Sequence, residues 1–116
     1  VNKGNKNNIW MPLFVGDYLS DTMHLTTQQH GAYFLLLLAY WKNRGPLPEK
    51  RIKSICKIED DSWSIDKAIV EEFFDTVSEP GKWVHHRVNE ELEKGYKRHQ
   101  AAVARGKRGA DVRWGL

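Results

Sequence analysis

Apolar positions crowd one stretch of the 116-residue chain. From Ala32 to Trp41 the sequence reads AYFLLLLAYW, apolar nearly all round a helix. A helix of that kind sits in the middle of a fold, covered on most sides. Thr26 and Gln29 have capping-box spacing, and Gly45 with Pro46 supplies a stop. The predicted helix therefore runs from Thr26 to about Asn43, with Leu35, Leu36, Leu38 and Tyr40 as expected core members. A seam between two copies, a homodimer, is the alternative cover for the same surface. Ahead of it, Pro12 biases Met11 towards extended backbone, and Asp21 or Thr22 is expected to cap a short turn. The polar residues 1–9 read as an arm without periodicity.

Downstream, Pro48 suits the first turn of a helix over Lys50–Lys57, with Ile52, Ile55 and Cys56 on one face. Asp60 or Asp61 would cap a further helix over Ser62–Phe73, whose apolar face is Trp63, Ile65, Ile69, Val70 and Phe73. The period then changes to two. Phe74–Val77 and Trp83–Val88 bracket SEPGK, where Pro80-Gly81 fits the centre of a type II turn. The expectation is a hairpin with Val84, His86 and Val88 inward and Trp83, His85 and Arg87 outward. Asn89 is a good N-cap for a last helix, with Glu90, Glu91 and Glu93 at its positive end. There Val88, Leu92, Tyr96, His99 and Val103 form one stripe at helical spacing. Lys94, Arg98 and Arg105, joined by Arg108, fall nearly opposite, and Gly106 and Gly109 are expected to fray the end. The fold class is mainly α with a small C-terminal β-hairpin, in the element order of a winged helix-turn-helix. Residues 10–93 would form that body and residues 94–116 a basic helix and tail.

Charge sharpens this division. The net charge of +3 conceals 11 Lys/Arg against 14 Asp/Glu over residues 1–93, and seven Lys/Arg against one Asp over residues 94–116. Within the body, Lys42–Lys57 holds six bases and Glu59–Glu79 eight acids. Blocks of opposite sign imply two faces with different partners. The single cysteine excludes an internal disulfide framework and suits a reducing compartment. The ten-residue apolar run is far shorter than the about 20 residues of a membrane span. A cytoplasmic location and no membrane partner are therefore expected.

The stretch WMPLFVGDYLSDTMHLTTQQHGAYFLLLLAYWKNRGPLP, Trp10–Pro48, resembles the YdaU-like family of phage and prophage proteins. The likeness rests on GDYLSDTMHLT, HGAY and GPLP, and continues through Trp63, Phe73-Phe74, KWVHHRV and NEELEK to about Lys94. The resemblance implies a phage or prophage replication-associated protein in a bacterial host cell, with a helicase loader or helicase as partner. It also implies a winged-helix-like domain and brings no catalytic residues.

In a DNA-reading winged helix the second helix of the turn motif enters the major groove. Here that helix carries Asp66, Glu71 and Glu72 against Lys67. Carboxylates repel phosphates, so these three acids are read as a protein-partner face. The candidate DNA contacts are Lys50, Arg51, Lys53 and Lys57 on the preceding helix, with Lys94, Lys97, Arg98, Arg105, Lys107, Arg108 and Arg113 in the tail. Two functions follow: a DNA-binding replication accessory or initiator, weakly specific for sequence, or an interaction module that recruits a loader or pairs copies without binding DNA. Asp17, Asp21 and His24 could be imagined as a metal cluster but are better explained as caps and surface groups. Cys56 lies among lysines, which would lower its pKa, and on an apolar face, which would bury it. No phosphate loop, cofactor motif or catalytic constellation is present, and an enzyme is not expected. Trp10, Trp41 and Trp63 read as core, and Trp83 is ambiguous. Trp114 stacks on a base, anchors a partner or stands free.

Overall fold

A computed structural model describes the backbone over residues 11–113 and side chains over residues 11–106. The arm over residues 1–9, Trp10, Trp114 and the side chains of Lys107, Arg108 and Arg113 lie outside the described residues. Five helices and one small sheet follow in order: α1 (Val15–Thr22), α2 (Thr27–Asn43), β1 (Leu47–Pro48), α3 (Glu49–Cys56), α4 (Asp60–Glu71), β2 (Lys82–Trp83) and α5 (His86–Arg113). Among the described residues no helix is long and apolar enough to cross a membrane.

α2 is the centre against which α3, α4, α5 and β1 pack. Both halves of its capping box form: Thr26 Oγ1 accepts from the Gln29 N–H at 3.1 Å, and Gln29 Oε1 accepts from the Thr26 N–H at 3.0 Å. The stop is made by Arg44, not by the glycine beside it. Arg44 takes a left-handed φ of 61°, and the Gly45 N–H reaches back to the Tyr40 carbonyl. Leu36 and Tyr40 are fully buried, whereas Leu35 is half-buried and Leu38 is 42% exposed. The cover over α2 is thus incomplete on the side of Phe34 and Leu38.

Three boundaries differ from expectation. Residues 15–22 form a helix rather than one capped turn, and the Thr22 hydroxyl donates to the Tyr18 carbonyl at 2.6 Å. α4 begins at Asp60, with Glu59 as a cap lacking a side-chain bond, because the Asp60 carboxylate is held by Lys53. α5 begins at His86, three residues before Asn89, and its backbone runs through Gly106 and Gly109 to Arg113 without fraying.

The sheet also differs. β2 pairs antiparallel with β1, in the register Leu47 to Trp83 and Pro48 to Lys82, and not with Val77 as in the expected hairpin. The expected arms touch only through a bridge between Asp75 and Val84. The turn itself is as expected: Gly81 has φ 78°, and the Lys82 N–H donates to the Glu79 carbonyl at 3.0 Å. Facing is reversed at three positions. Trp83 and His85 are buried and His86 is exposed. The alternation fails because extended pairing ends at Val84, after which the chain turns into a helix, so Trp83, Val84 and His85 all enter the core. Trp83 packs on Phe74 at 5.2 Å and donates its indole N–H to Glu49. His86 instead pairs outward with Asp75 at 2.9 Å. Hydrogen bonds from Ser78, from the Val77 N–H and from His86 hold the Asp75 carboxyl well below the usual range.

His85 joins α2 to α5. Its Nδ1 accepts from the Val88 N–H at 3.2 Å, so it caps the helix from inside the core. That bond places the ring proton on Nε2, which donates to the Tyr33 hydroxyl at 2.8 Å. The His85 N–H donates to the Tyr40 hydroxyl at 3.1 Å, and Tyr40 donates to Asn89 Oδ1 at 2.6 Å. Tyr33 and Tyr40, seven residues apart, lie on one face of α2 and grip successive turns of the α5 start. Burial pushes the His85 pKa down from 6.5 to about 4.

Two outcomes are expected. Leu36→Ala should cost about 2–5 kcal/mol in denaturant unfolding, and Leu38→Ala less than about 1 kcal/mol, since only the first leaves a cavity. Stability should also depend on pH. The unfolded chain takes up a proton on His85 near pH 6.5 and the folded chain only near 4. The contribution is therefore complete above about pH 6.5 and falls by about 3 kcal/mol as pH drops to 4. His85→Asn keeps a cap and cannot titrate, so unfolding curves over this range should lose that slope.

Candidate nucleic-acid interface

The basic residues fall into two groups with different supports. The first is the outer face of α3. Ile52 and Cys56 point into the core with Ile55 half-buried, which turns Lys50, Arg51 and Lys53 to solvent. Burial pushes the Cys56 thiol up to about 12, against the lowering that its lysine neighbours would cause. Cys56 is thus a core group and not a reactive one. Lys57 ends α3 with a left-handed φ of 57°. A glycine would take that conformation at lower cost. Lys50, Lys53, Ser54, Lys57 and Ile58 line a shallow open groove closed by Glu59 and Asp60.

The second group rides on α5. Val88 is buried and Leu92 half-buried, but Tyr96 is 62% and Val103 57% exposed. The expected docking stripe therefore docks only through its first turns. Beyond it the exposed residues of α5 carry Lys97, Arg98 and Arg105 outward. The 28-residue helix is about 42 Å long, so most of it projects from the body.

Not every cation is equally available. Lys53 pairs with Asp60, Lys94 with Glu91 at 3.4 Å and Lys97 with Glu93 at 3.2 Å. Lys67 pairs with Glu49 at 2.9 Å, which fixes the carboxylate that Trp83 also uses. Lys50, Arg51, Lys57, Arg98 and Arg105 have no acidic partner within 4.0 Å among the described residues.

The acidic face is smaller than its sequence implies. Asp66 is buried, and its two oxygens accept from Gln28 Nε2 at 2.6 Å and Gln29 Nε2 at 2.9 Å. It ties α4 to the start of α2 and cannot meet a partner. Glu71 is half-buried, and Glu72 is exposed with His24 at 3.8 Å. Asp61, Ser64, Ile65 and Ala68 complete the outward face of α4.

The imagined metal set is dispersed. Asp17 pairs with Arg87 at 3.3 Å, whose guanidinium also lies over the Phe14 ring at 4.6 Å. His24 turns to Glu72 and stacks on Phe73. Among the described residues no group of three metal-ligating side chains occurs. A cleft of about 240 Å³ lies between the segment before α1, α2 and α5, lined by Met11, Phe14, Tyr18 and Trp41 among others. That is below the volume usual for small-molecule sites.

Sequence reasoning missed the cap made by His85 and the strained backbone at Lys57. Nothing in the residue types signals either, since histidine is a rare cap and lysine a poor left-handed residue.

Comparison with known proteins matches residues 9–93 to the DUF1376 family, described as a protein of unknown function. The uncharacterized protein YdaU of Escherichia coli (strain K12) is 40% identical over 83 residues, 72% of this chain and 28% of that protein. The chain thus spans well under two thirds of that relative's length. No solved structure matches. With its body covered by the family match and by a relative that shares two residues in five, the chain belongs to the DUF1376 family.

Proposed function

We propose that this chain is a DNA-binding accessory or initiator-type protein of phage or prophage replication. In this proposal a winged helix-turn-helix body mounts two sets of phosphate contacts, one on α3 and one on α5. The element order supports the body, as does the sheet. β1 lies beside β2, and the Asp75–Val84 bridge brings the segment after α4 to β2. This is how a wing is laid against the strand that precedes a helix-turn-helix pair.

The observation that carries the proposal is that five exposed cations of α3, its C-cap and α5, namely Lys50, Arg51, Lys57, Arg98 and Arg105, have no acidic partner within 4.0 Å among the described residues. Lys57 adds weight, because it keeps a lysine where the backbone favours glycine. Strained positions of this kind concentrate at functional sites. α4, in the place of a reader helix, opens with Asp60 and Asp61 and so presents carboxylates where a reader meets bases. The proposed contacts therefore go to phosphates and depend weakly on sequence. The alternative function is recruitment of a helicase or its loader without DNA binding. Its support is the exposed Ile65 on α4.

Titration of duplex DNA at several salt concentrations tests the proposal. Five phosphate contacts predict that log K falls with log salt at a slope near −4.5. Contacts by Lys107, Arg108 and Arg113 as well bring the full-chain slope to about −7. Replacing Arg105, Lys107, Arg108 and Arg113 by Ala should flatten the slope by about three to four units with the fold unchanged. A full chain without salt-dependent affinity contradicts DNA binding, and an unchanged slope in the quadruple variant removes the tail from it. Lys57→Gly should act in opposite directions: stability up by about 1 kcal/mol in denaturant unfolding, and DNA affinity down. A loss of stability would show that the left-handed turn carries no strain.

A further inference from the structure

Among the described residues, seven of the eleven exposed large apolar side chains lie between Leu13 and Leu38. Five of them belong to two helical rows and are exposed by 39% to 84%. Val15, Leu19 and Met23 recur every four residues along α1 and into its C-cap, which keeps helical backbone. Phe34 and Leu38 share a row of α2 with Thr27 and Gly31, at spacings of four, three and four. Thr27 and Gly31 are exposed as well.

The two rows adjoin. α1 and α2 form an antiparallel hairpin, with Tyr18 against His30 and Tyr33. At about 100° per residue, Val15, Leu19 and Met23 fall on one side of Tyr18, and Asp17 and Asp21 on the other. Asp17 reaches Arg87 of α5, so the acidic side of α1 faces α5 and the apolar side faces away from it. Around α2, Tyr33 points to His85 at the root of α5, His30 follows under Tyr18, and Phe34 and Leu38 lie beyond His30. The apolar side of α1 therefore borders the open row of α2. The joint surface carries no fixed charge, since Asp17 and Asp21 are the only Asp, Glu, Lys or Arg from Leu13 to Trp41.

A lipid surface is a poor cover for it, because bases are missing and the nearby charges are acidic. A second copy fits, because the surface complements itself. Set antiparallel to its own copy about a twofold axis between Ala32 and Tyr33, the α2 row places Phe34 over the partner's Gly31 and Leu38 over the partner's Thr27. Each large side chain meets a small one. The notch at Gly31 is open, since a Cβ added there meets nothing within 4 Å. The same axis passes close to Tyr18, which touches both His30 and Tyr33. Leu19 then meets its own copy, and Val15 meets the partner's Met23. We infer that this protein pairs with itself through the α1–α2 hairpin, as an isologous four-helix bundle. Burying five large side chains from each copy brings the contact to about the 1,200 Å² at which stable interfaces begin. α3 and α5 cover Ala32 and Tyr40 on the far side of α2, so pairing leaves both basic helices free.

Sedimentation velocity of the full chain without DNA tests this, and its outcome is independent of the proposed DNA binding. Mass should rise with protein concentration from 13.5 kDa to twice that value. The pair should persist at about 1 M salt, where the Debye length is only about 3 Å, because its contact is apolar. Leu19→Glu sets two carboxylates against each other at the axis, and Gly31→Leu fills the notch that Phe34 needs. Both positions are exposed in the single chain, so each variant should keep the wild-type circular dichroism and stay monomeric. Leu38→Ala is a mild change in the dilute monomer but should weaken pairing by about tenfold or more. Spin labels at Lys42→Cys report the orientation. Antiparallel α2 helices hold the two labels of a pair about 30 Å apart, and parallel ones about 10 Å. A wild-type chain that is monomeric at every concentration overturns the inference. So does a folded Leu19→Glu or Gly31→Leu chain that still pairs, a pair that dissociates at high salt, or a label distance near 10 Å.

Discussion

The hydrogen-bonded junction between α2 and α5 is the constraint on which the rest depends. His85 caps α5 from inside the core, and two tyrosines of α2 hold the ring and the following turn. The ring nitrogens of His85 and the hydroxyls of Tyr33 and Tyr40 all have partners, so burying them carries little penalty. The arrangement works only with a neutral imidazole, because a proton on Nδ1 would remove the acceptor that the Val88 N–H needs. The core thereby fixes the point at which a long basic helix leaves the body, and the direction it takes.

Beyond that junction the molecule divides by charge. α3 is amphipathic, with a buried edge that turns its lysines outward, while α4 exposes Asp60 and Asp61 and buries Asp66.

Much of this was legible in the residues. The Thr26–Gln29 box and the unbroken apolar run located α2, because capping chemistry and burial act over a few neighbouring residues. The Pro80-Gly81 turn was legible for the same reason. The pairing of Lys82 and Trp83 with Pro48 and Leu47 was not, since the partners lie 34 and 36 residues apart in the chain. The start of α5 was misplaced because Asn89 is a stronger cap by type than His85. Only the core position of Tyr33 and Tyr40 makes histidine the better choice there. Asp66 looked like a surface acid because its partners, Gln28 and Gln29, lie on another helix. At the candidate interface, sequence identified the cations but not which were already neutralised, as with Lys53 by Asp60.

The central claim is that the buried junction aims α5. The most direct measurement is the distance distribution between spin labels on α2 and α5, at Lys42→Cys and Gln100→Cys. Cys56 can be retained, since it is buried with its thiol pKa pushed up. The account predicts one narrow distribution in the otherwise unaltered chain. It predicts a broad one when Tyr40→Phe and His85→Ala are combined and near-ultraviolet circular dichroism still reports a packed core. A broad distribution before the junction is altered, or an equally narrow one afterwards, would contradict it.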